Sequence, residues 1–424
     1  MRYKGVGFFQ VWFYHVDGSL LVPHSPQPDV ASERNSALEA TLVHAAKFSP
    51  YYRDQPWARH LRARQGISFQ DIAITPKPDL KGRTEDFYSL EIPFTEGRIL
   101  EKFTSGSTGE PLRVLKTQRH FEINRQENQR LKQGWGFARE LNSIGMEYPD
   151  AHHAERSVVE RKKPSGGTHS TIYSFVSADI VELLMLTRAS CFHGRGSVVL
   201  PVLQSAPNLE FLRLVATVSE VIPDELRNFV RGLPDCRLHD TYGSVETGII
   251  AGTCIACGNY HLADRHLIVE VLDDDGRPVG PGMLGRIVLT TLYNLAMPLL
   301  RYDIGDYAVM SSNPNCSRST VAISRIVGRE RNLFKLPGGA KVIPNVAPED
   351  ILELGIYRYK LVQISREEIE FRYIPATPET TLSIEQAQYL IDRNLSKAFR
   401  AIPVKVAELP NTPSGKYLMH ECLI

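Results

Sequence analysis

Two runs in the middle of the chain, GSVVLPVLQ (residues 196–204) and FLRLVATVS (residues 211–219), are apolar and rich in β-branched side chains. Such runs predict strands buried on both faces. The next segment, IPDELRNFVRGL, predicts a short helix with proline near its start. Strands that alternate with helices restrict the fold to the α/β class, with a sheet of mainly parallel strands. Upstream, SALEATLVHAAKFS (residues 36–49) places Leu38, Leu42, Ala45 and Ala46 at helical spacing, and SPYYRDQ breaks that helix. Residues 116–141 predict a long polar helix. From residue 266 the pattern becomes strand, Asp/Gly/Pro turn and strand, which predicts a β-hairpin region. Beyond Gly328, short strands (LVQIS, IEFRYI) and one helix (SIEQAQYLIDRNLSKAF) predict an α+β module.

Size and charge narrow the function. The chain has 424 residues, enough for two or three domains, and a formal net charge of +1. A balanced charge with no Lys/Arg-rich run gives no expectation of nucleic-acid binding. No stretch reaches the roughly 18–20 apolar residues of a membrane span. The N-terminal MRYKGVGFFQVWFYHVDGS has the basic start and apolar run of a short signal peptide. Its aromatic character, Gln10, His15 and the lack of a small-residue cleavage site favour a strand of the mature protein. Six cysteines are too sparse for a disulfide scaffold, so a reducing, cytoplasmic setting is expected.

FTSGSTGEPLRV, residues 103–114, gathers Thr104, Ser105, Ser107 and Thr108 around Gly106 and Gly109. Glycines let backbone N–H groups turn inward, and such a nest with added hydroxyls binds oxyanions. It is not the G-x-x-x-x-G-K-[ST] phosphate loop, because Glu110 follows Gly109. A plain flexible turn has the same composition.

Further motifs follow in order: DTYGSVETG (240–248), PLLRYDIGDY (298–307), VGRERNLFK (327–335) and PNTPSGK (410–416). Together with SPYYRD and TSGSTGEP, they make the chain resemble the adenylate-forming superfamily of acyl-CoA ligases and adenylation domains, in particular its phenylacetate–CoA ligase branch. The likeness runs from about residue 36 to the end. It implies a large N-terminal domain of α/β sheets with a small β-rich subdomain (residues 1–327) and a small mobile α+β C-terminal domain (residues 328–424). It also implies ATP-dependent, AMP-forming activation of a small, aromatic carboxylic acid through an acyl-adenylate, followed by transfer to CoA. Within the same fold the adenylate can instead pass to an amine or hydroxyl of a second small molecule. A nucleotide-binding scaffold without turnover is the alternative from another class.

By this resemblance Thr104, Ser105, Gly106, Ser107, Thr108 and Gly109 close over the phosphates of ATP. Tyr242 and Gly243 lie near the adenine with Asp240 beside them, and Ser219 and Glu220 form a turn near the nucleotide. Glu246 helps to hold Mg²⁺. Asp306 takes the ribose hydroxyls, since a carboxylate accepts two hydrogen bonds from a diol. Arg329 binds the ribose or phosphate region. Lys416 reaches the carboxylate and α-phosphate oxygens as a mobile point charge. Arg331 departs from the Asp or Lys common at the family's hinge, which leaves the second half-reaction open. Each residue also has a bland reading as turn, strand end or solvated charge.

GTCIACGNYHL contains Cys254 and Cys257 at C-x₂-C spacing and His261 four residues on, while Cys316 follows in NPNCSRS. Three cysteines and a histidine are a common structural zinc set. A pair of reduced cysteines in a turn is the alternative, and His266 could replace His261. The acyl pocket is less legible. QGWGF, THSTIYSFVS and His152–His153 are candidates for its lining, and aromatics are more often core. Expected partners are the carboxylic acid, ATP, and CoA or a second small molecule, with a homodimer as one compatible assembly.

Overall fold

The computed structural model describes residues 28–424 except 105–110, 134–141, 148–154, 164–165, 175, 219, 221, 223, 313–315, 317–321, 345, 347 and 411–417. The N-terminal strand expected within residues 1–19 lies outside the described residues. Two compact units emerge: the described residues up to 137 with Thr241–Arg325, and those from 138 to Asp240 with Ile326–Ile424.

In the first unit the helix Pro28–Phe48 begins earlier than its periodic pattern suggests. It buries Leu38, Leu42, Ala45 and Ala46, the side chains predicted to share one face. Thr41 donates to the Leu292 carbonyl at 2.6 Å. Tyr52, fully buried just beyond this helix, accepts the Leu300 amide at 3.0 Å. The segment 292–300 is therefore tied down before it enters the strand Tyr302–Met310. The predicted hairpin forms from Leu267–Leu272 and Leu284–Thr291, in the antiparallel register Leu267↔Thr291 to Leu272↔Arg286. A second antiparallel hairpin, Ile99–Phe103 with Arg113–Thr117, carries the glycine-rich loop between its strands. Thr104 N–H donates to the Leu112 carbonyl at 3.0 Å, and Leu112 N–H donates to the Thr104 hydroxyl at 2.9 Å. The polar helix Gln118–Gln133 follows at once. Its start is fixed by Thr117, whose hydroxyl accepts the His120 amide at 3.1 Å and donates to Glu96 at 2.8 Å.

In the second unit Ser143–Glu147 is flanked by Thr168–Tyr173 and Cys191–Gly194, with Leu214–Val218 next, all parallel. Ser157–Lys162 closes that edge antiparallel to Thr168–Tyr173. The mainly parallel sheet expected from the sequence thus holds for residues 143–218. The pairings of strands between 241 and 310 in the first unit are antiparallel. Helices Ser177–Thr187, Gly196–Ser205 and Asp224–Arg231 follow the strands. Ile180, Leu184, Val199, Val202, Leu203, Leu226 and Val230 meet Ile144, Met146, Ile172, Phe192 and Val215 in one core.

GSVVLPVLQ, predicted as a strand, is the helix Gly196–Ser205 with Pro201 inside it. The inward residues Val199, Val202 and Leu203 recur at i, i+3 and i+4, so burial of that stripe outweighs both β-propensity and a proline on the exposed side. The C-terminal part forms a four-stranded sheet in the order Arg400–Lys405, Glu368–Pro375, Ile356–Gln363 and His420–Cys422. The helix Ile384–Asn394 starts at a Ser383/Gln386 capping box. Among the described residues no helix is long and apolar enough to cross a membrane.

Candidate functional site

The turn SVETG joins the strands Arg237–Ser244 and Gly248–Thr253 and buries Glu246 and Thr247. Ser244 Oγ accepts the Thr247 amide at 3.1 Å and lies 3.0 Å from the Thr247 hydroxyl. Gly248 has φ +89°, a conformation glycine adopts without penalty. The Asn124 side chain packs against it, and a Cβ on Gly248 would lie 2.4 Å from Asn124 Oδ1. That same oxygen accepts the Ile249 amide at 2.9 Å. The helix Gln118–Gln133 thereby fixes the turn that presents Glu246.

Glu246 sits among cations and hydroxyls. Lys77 Nζ donates to Glu246 Oε1 at 3.2 Å and to the Ile304 carbonyl at 3.2 Å, and Tyr302 donates to the same Oε1 at 3.3 Å. Lys116, on the strand Arg113–Thr117, is 6% exposed. Burial lowers its pKa to about 8, against the pull of Glu246 and with the repulsion of Lys102. Tyr242 donates to Asp306 Oδ2 at 2.8 Å, so two residues of separate motifs meet. The other charged residues of PLLRYDIGDY are structural. Arg301 forms a two-point pair with Glu270 at 3.0 and 3.1 Å, and Asp303 pairs with Arg286 at 3.2 Å.

In the second unit Asp240 accepts from Thr217 at 2.8 Å. Glu220 Oε2 accepts the Ser197 amide at 3.0 Å, at the start of the helix Gly196–Ser205, where a carboxylate complements the helix dipole. Arg329 is exposed at the end of the strand Ala322–Arg329. Thr104 uses its hydroxyl to close the hairpin mouth. Ser105, Gly106, Ser107, Thr108, Gly109, Ser219 and Lys416 lie outside the described residues, as do His152, His153 and most of QGWGF. His169, from THSTIYSFVS, stacks on His193 with ring centroids 4.9 Å apart. The pair closes over Gly145, where a Cβ would fall 2.3 Å from the His193 ring.

Sequence reasoning missed Lys77, Lys116, Asn124 and Tyr302. Lys116 was legible only as the one charge near the end of the strand that follows the loop.

Cys254, Cys257, His261 and Cys316 converge, their ligand atoms all within 4.8 Å of one another. Cys254 Sγ is 3.7 Å from Cys316 Sγ, and Cys257 Sγ is 3.3 Å from His261 Nε2. The edges of a tetrahedron with metal–sulfur bonds of about 2.3 Å and metal–nitrogen bonds of about 2.0 Å are roughly 3.5–3.8 Å. Burial opposes ionisation of Cys254, but N–H groups of Cys257 and Ala256 and the neighbouring thiols hold its pKa below the ordinary value. Burial, reinforced by the Cys254 charge, raises that of Cys257. The donor set therefore fits a tetrahedral metal. His266, the alternative ligand, is instead fully buried beside His120, with ring centroids 6.1 Å apart.

A family described as AMP-binding enzyme matches residues 101–296. This interval holds the loop, the SVETG turn and three of the four metal-ligand candidates, Cys254, Cys257 and His261. Over that interval the chain is similar to the AMP-binding, adenylate-forming enzymes. Over 80 residues the chain is 38% identical to a phenylacetate-coenzyme A ligase of Thermus thermophilus. The matched segment is 18% of this chain and 18% of that protein. A 2-hydroxyisobutyryl-CoA ligase in the postadenylation state superposes with a TM-score of 0.70 at 16% identity, covering 94% of this chain and 90% of that one. The anthranilate CoA ligase AuaEII gives 0.57 at 14% identity, with 75% and 64% covered. The amide bond synthetase McbA from Marinactinospora thermotolerans gives 0.54 at 15% identity, with 75% and 66% covered. At these identities the likeness establishes the α/β fold of the adenylate-forming enzymes.

Proposed function

We propose that the protein is an ATP-dependent, AMP-forming acid ligase that activates a small carboxylic acid as its acyl-adenylate and transfers the acyl group to CoA. The observation that carries this is the buried Glu246, held at a rigid turn among Lys77, Tyr302 and Lys116. A buried carboxylate surrounded by ammonium groups suits a site that must manage the charge of a phosphate chain and its counter-ion. Glu246 would hold Mg²⁺, whose charge offsets that of the phosphates. Asp306, oriented by Tyr242, would accept the ribose hydroxyls, with Asp240, Gly243, Ser219 and Glu220 around the nucleotide. Thr104–Gly109 would cover the phosphates, and Arg329 would bind the ribose or phosphate region. Lys416, on a C-terminal domain of residues 328–424 that moves relative to residues 1–327, would steady the negative charge that develops as the carboxylate attacks the α-phosphate.

Names among the relatives support the acid and the acceptor: phenylacetate and anthranilate are aromatic carboxylates, and their ligases use CoA. Cys254, Cys257, His261 and Cys316 would hold zinc, a closed structural site that pins the turn 254–259 to Cys316 and takes no part in the reaction. The test is pyrophosphate release from ATP with a panel of aryl acids, with and without CoA.

A further inference from the structure

Two distant stretches of the first unit meet at Cys254, Cys257, His261 and Cys316. The turn 254–259 is closed by its own backbone. Cys254 N–H donates to the Asn259 carbonyl at 2.7 Å, and Gly258 N–H donates to the Cys254 carbonyl at 2.8 Å. Cys316 comes from the connection between the strands Tyr302–Met310 and Ala322–Arg329, 62 residues beyond Cys254. Its sulfur lies 3.7 Å from that of Cys254, whereas Cys257 faces His261 at 3.3 Å. Cys316 is half-buried and Cys254 is 1% exposed. An oxidant from solvent therefore meets Cys316 with a second thiol directly behind it. An accessible thiol backed by a resolving one is the arrangement of a reversible oxidation site.

The inner thiol also touches the scaffold of Glu246. Cys254 follows directly on the strand Gly248–Thr253, which begins at the turn that presents this carboxylate. It packs in one cluster with Leu131, Ile249 and Ala263, and Cys316 packs against the same cluster. Leu131 belongs to the helix whose Asn124 accepts the Ile249 amide at 2.9 Å.

We propose that Cys316 and Cys254 are a peroxide-sensitive thiol pair, whose oxidation to a disulfide frees the metal and loosens the turn that presents Glu246. The assignment rests on the zinc reading above. The Cys316 thiolate attacks one oxygen of hydrogen peroxide; the O–O bond breaks, hydroxide leaves and a sulfenic acid forms. The Cys254 thiolate then attacks the Cys316 sulfur and expels the sulfenic oxygen as a second hydroxide. Two thiolates lose two electrons, and the peroxide gains them. Cys257 and His261 remain, two donors where a structural zinc site needs four. A thiol reductant with zinc restores the set.

The test treats the purified holoprotein with hydrogen peroxide. Zinc release is read with a chromogenic chelator, and disulfides are mapped by mass spectrometry without reduction. About one equivalent of zinc should be released as a Cys254–Cys316 cross-link accumulates. Amide hydrogen exchange in residues 244–253 should quicken at the same time, and dithiothreitol with zinc should reverse all three changes. Cys316→His keeps four donors without the sulfur pair, and it should hold its zinc through the same treatment. Should that variant fail to fold or to bind zinc, Cys316→Asp carries the comparison. No zinc release, release without a disulfide, or a cross-link between Cys254 and Cys257 overturns the pair and leaves the zinc reading standing. A protein with no zinc before treatment overturns the zinc reading itself. Unchanged exchange in residues 244–253 after complete release overturns the link to Glu246.

Discussion

Replacing Gly248 by alanine should show how the turn that presents Glu246 is built. The glycine has φ +89°, and the added Cβ would meet Asn124 Oδ1 at 2.4 Å, Cγ at 2.7 Å and Nδ2 at 2.9 Å. No small adjustment clears all three atoms, so the Asn124 side chain must leave. The Ile249 amide that it accepts at 2.9 Å then loses its partner. The left-handed conformation costs about 1–2 kcal/mol for a residue with a Cβ. The orphaned amide costs about 1–3 kcal/mol. Gly248→Ala should therefore destabilise by about 2–5 kcal/mol in urea unfolding followed by fluorescence. Asn124→Ala should cost about 1–3 kcal/mol by the hydrogen bond alone. In that background the three Asn124 atoms nearest the Cβ are gone, and Gly248→Ala should add only the backbone cost of about 1–2 kcal/mol. The double-mutant cycle should show about 1–3 kcal/mol of coupling. Pyrophosphate release should fall in both single variants, because both loosen the turn that carries Glu246. Coupling below about 0.5 kcal/mol, the level of independent sites, would refute the account of this turn.

Two further outcomes follow from buried groups. His120 and His266 are fully buried, and burial pushes both pKa values down, that of His266 to about 4. The unfolded chain binds protons near the ordinary value of 6.5 and the folded chain only near 4, so stability should fall as pH drops from 6.5 towards 4, by about 3 kcal/mol from His266 alone. His266→Phe should flatten that slope in urea melts at stepped pH, and an unchanged slope would remove His266 from the explanation. For the Cys₃His cluster, the purified protein should contain about one equivalent of zinc by elemental analysis. Chelator treatment should lower the melting temperature, and Cys254→Ser should both lose the metal and melt early. Less than about half an equivalent, without chelator exposure, would count against the site.

Legibility in the sequence followed the length scale of the interaction. Leu38, Leu42, Ala45 and Ala46 announced the first helix because period alone places them on one face. The hairpin from Leu267 to Thr291 announced itself through its Asp/Gly/Pro turn, and the C-x₂-C pair through spacing. The helix Gly196–Ser205 misled because Val198, Val199 and Pro201 argue locally for extended chain, while the inward stripe of Val199, Val202 and Leu203 decides the outcome only once a sheet lies beneath it. The same limit hid half of the site. Glu246, Tyr242 and Asp306 lie in motifs that can be read as strings. Lys77, Asn124 and Tyr302 join them through contacts 169, 125 and 56 residues apart in sequence, which no local pattern signals.

The central claim is that this site activates a carboxylate with ATP, and acid-dependent pyrophosphate release measures it most directly. Wild-type protein with Mg²⁺, ATP and a panel of aryl and arylacetic acids should release pyrophosphate only when an accepted acid is present, and CoA should be consumed in step with a thioester product. Lys416→Ala should release none while still binding ATP. Pyrophosphate release without CoA consumption would assign the acyl group to a different acceptor. No acid-dependent release with any carboxylic acid, from a folded protein that binds ATP, would contradict the account.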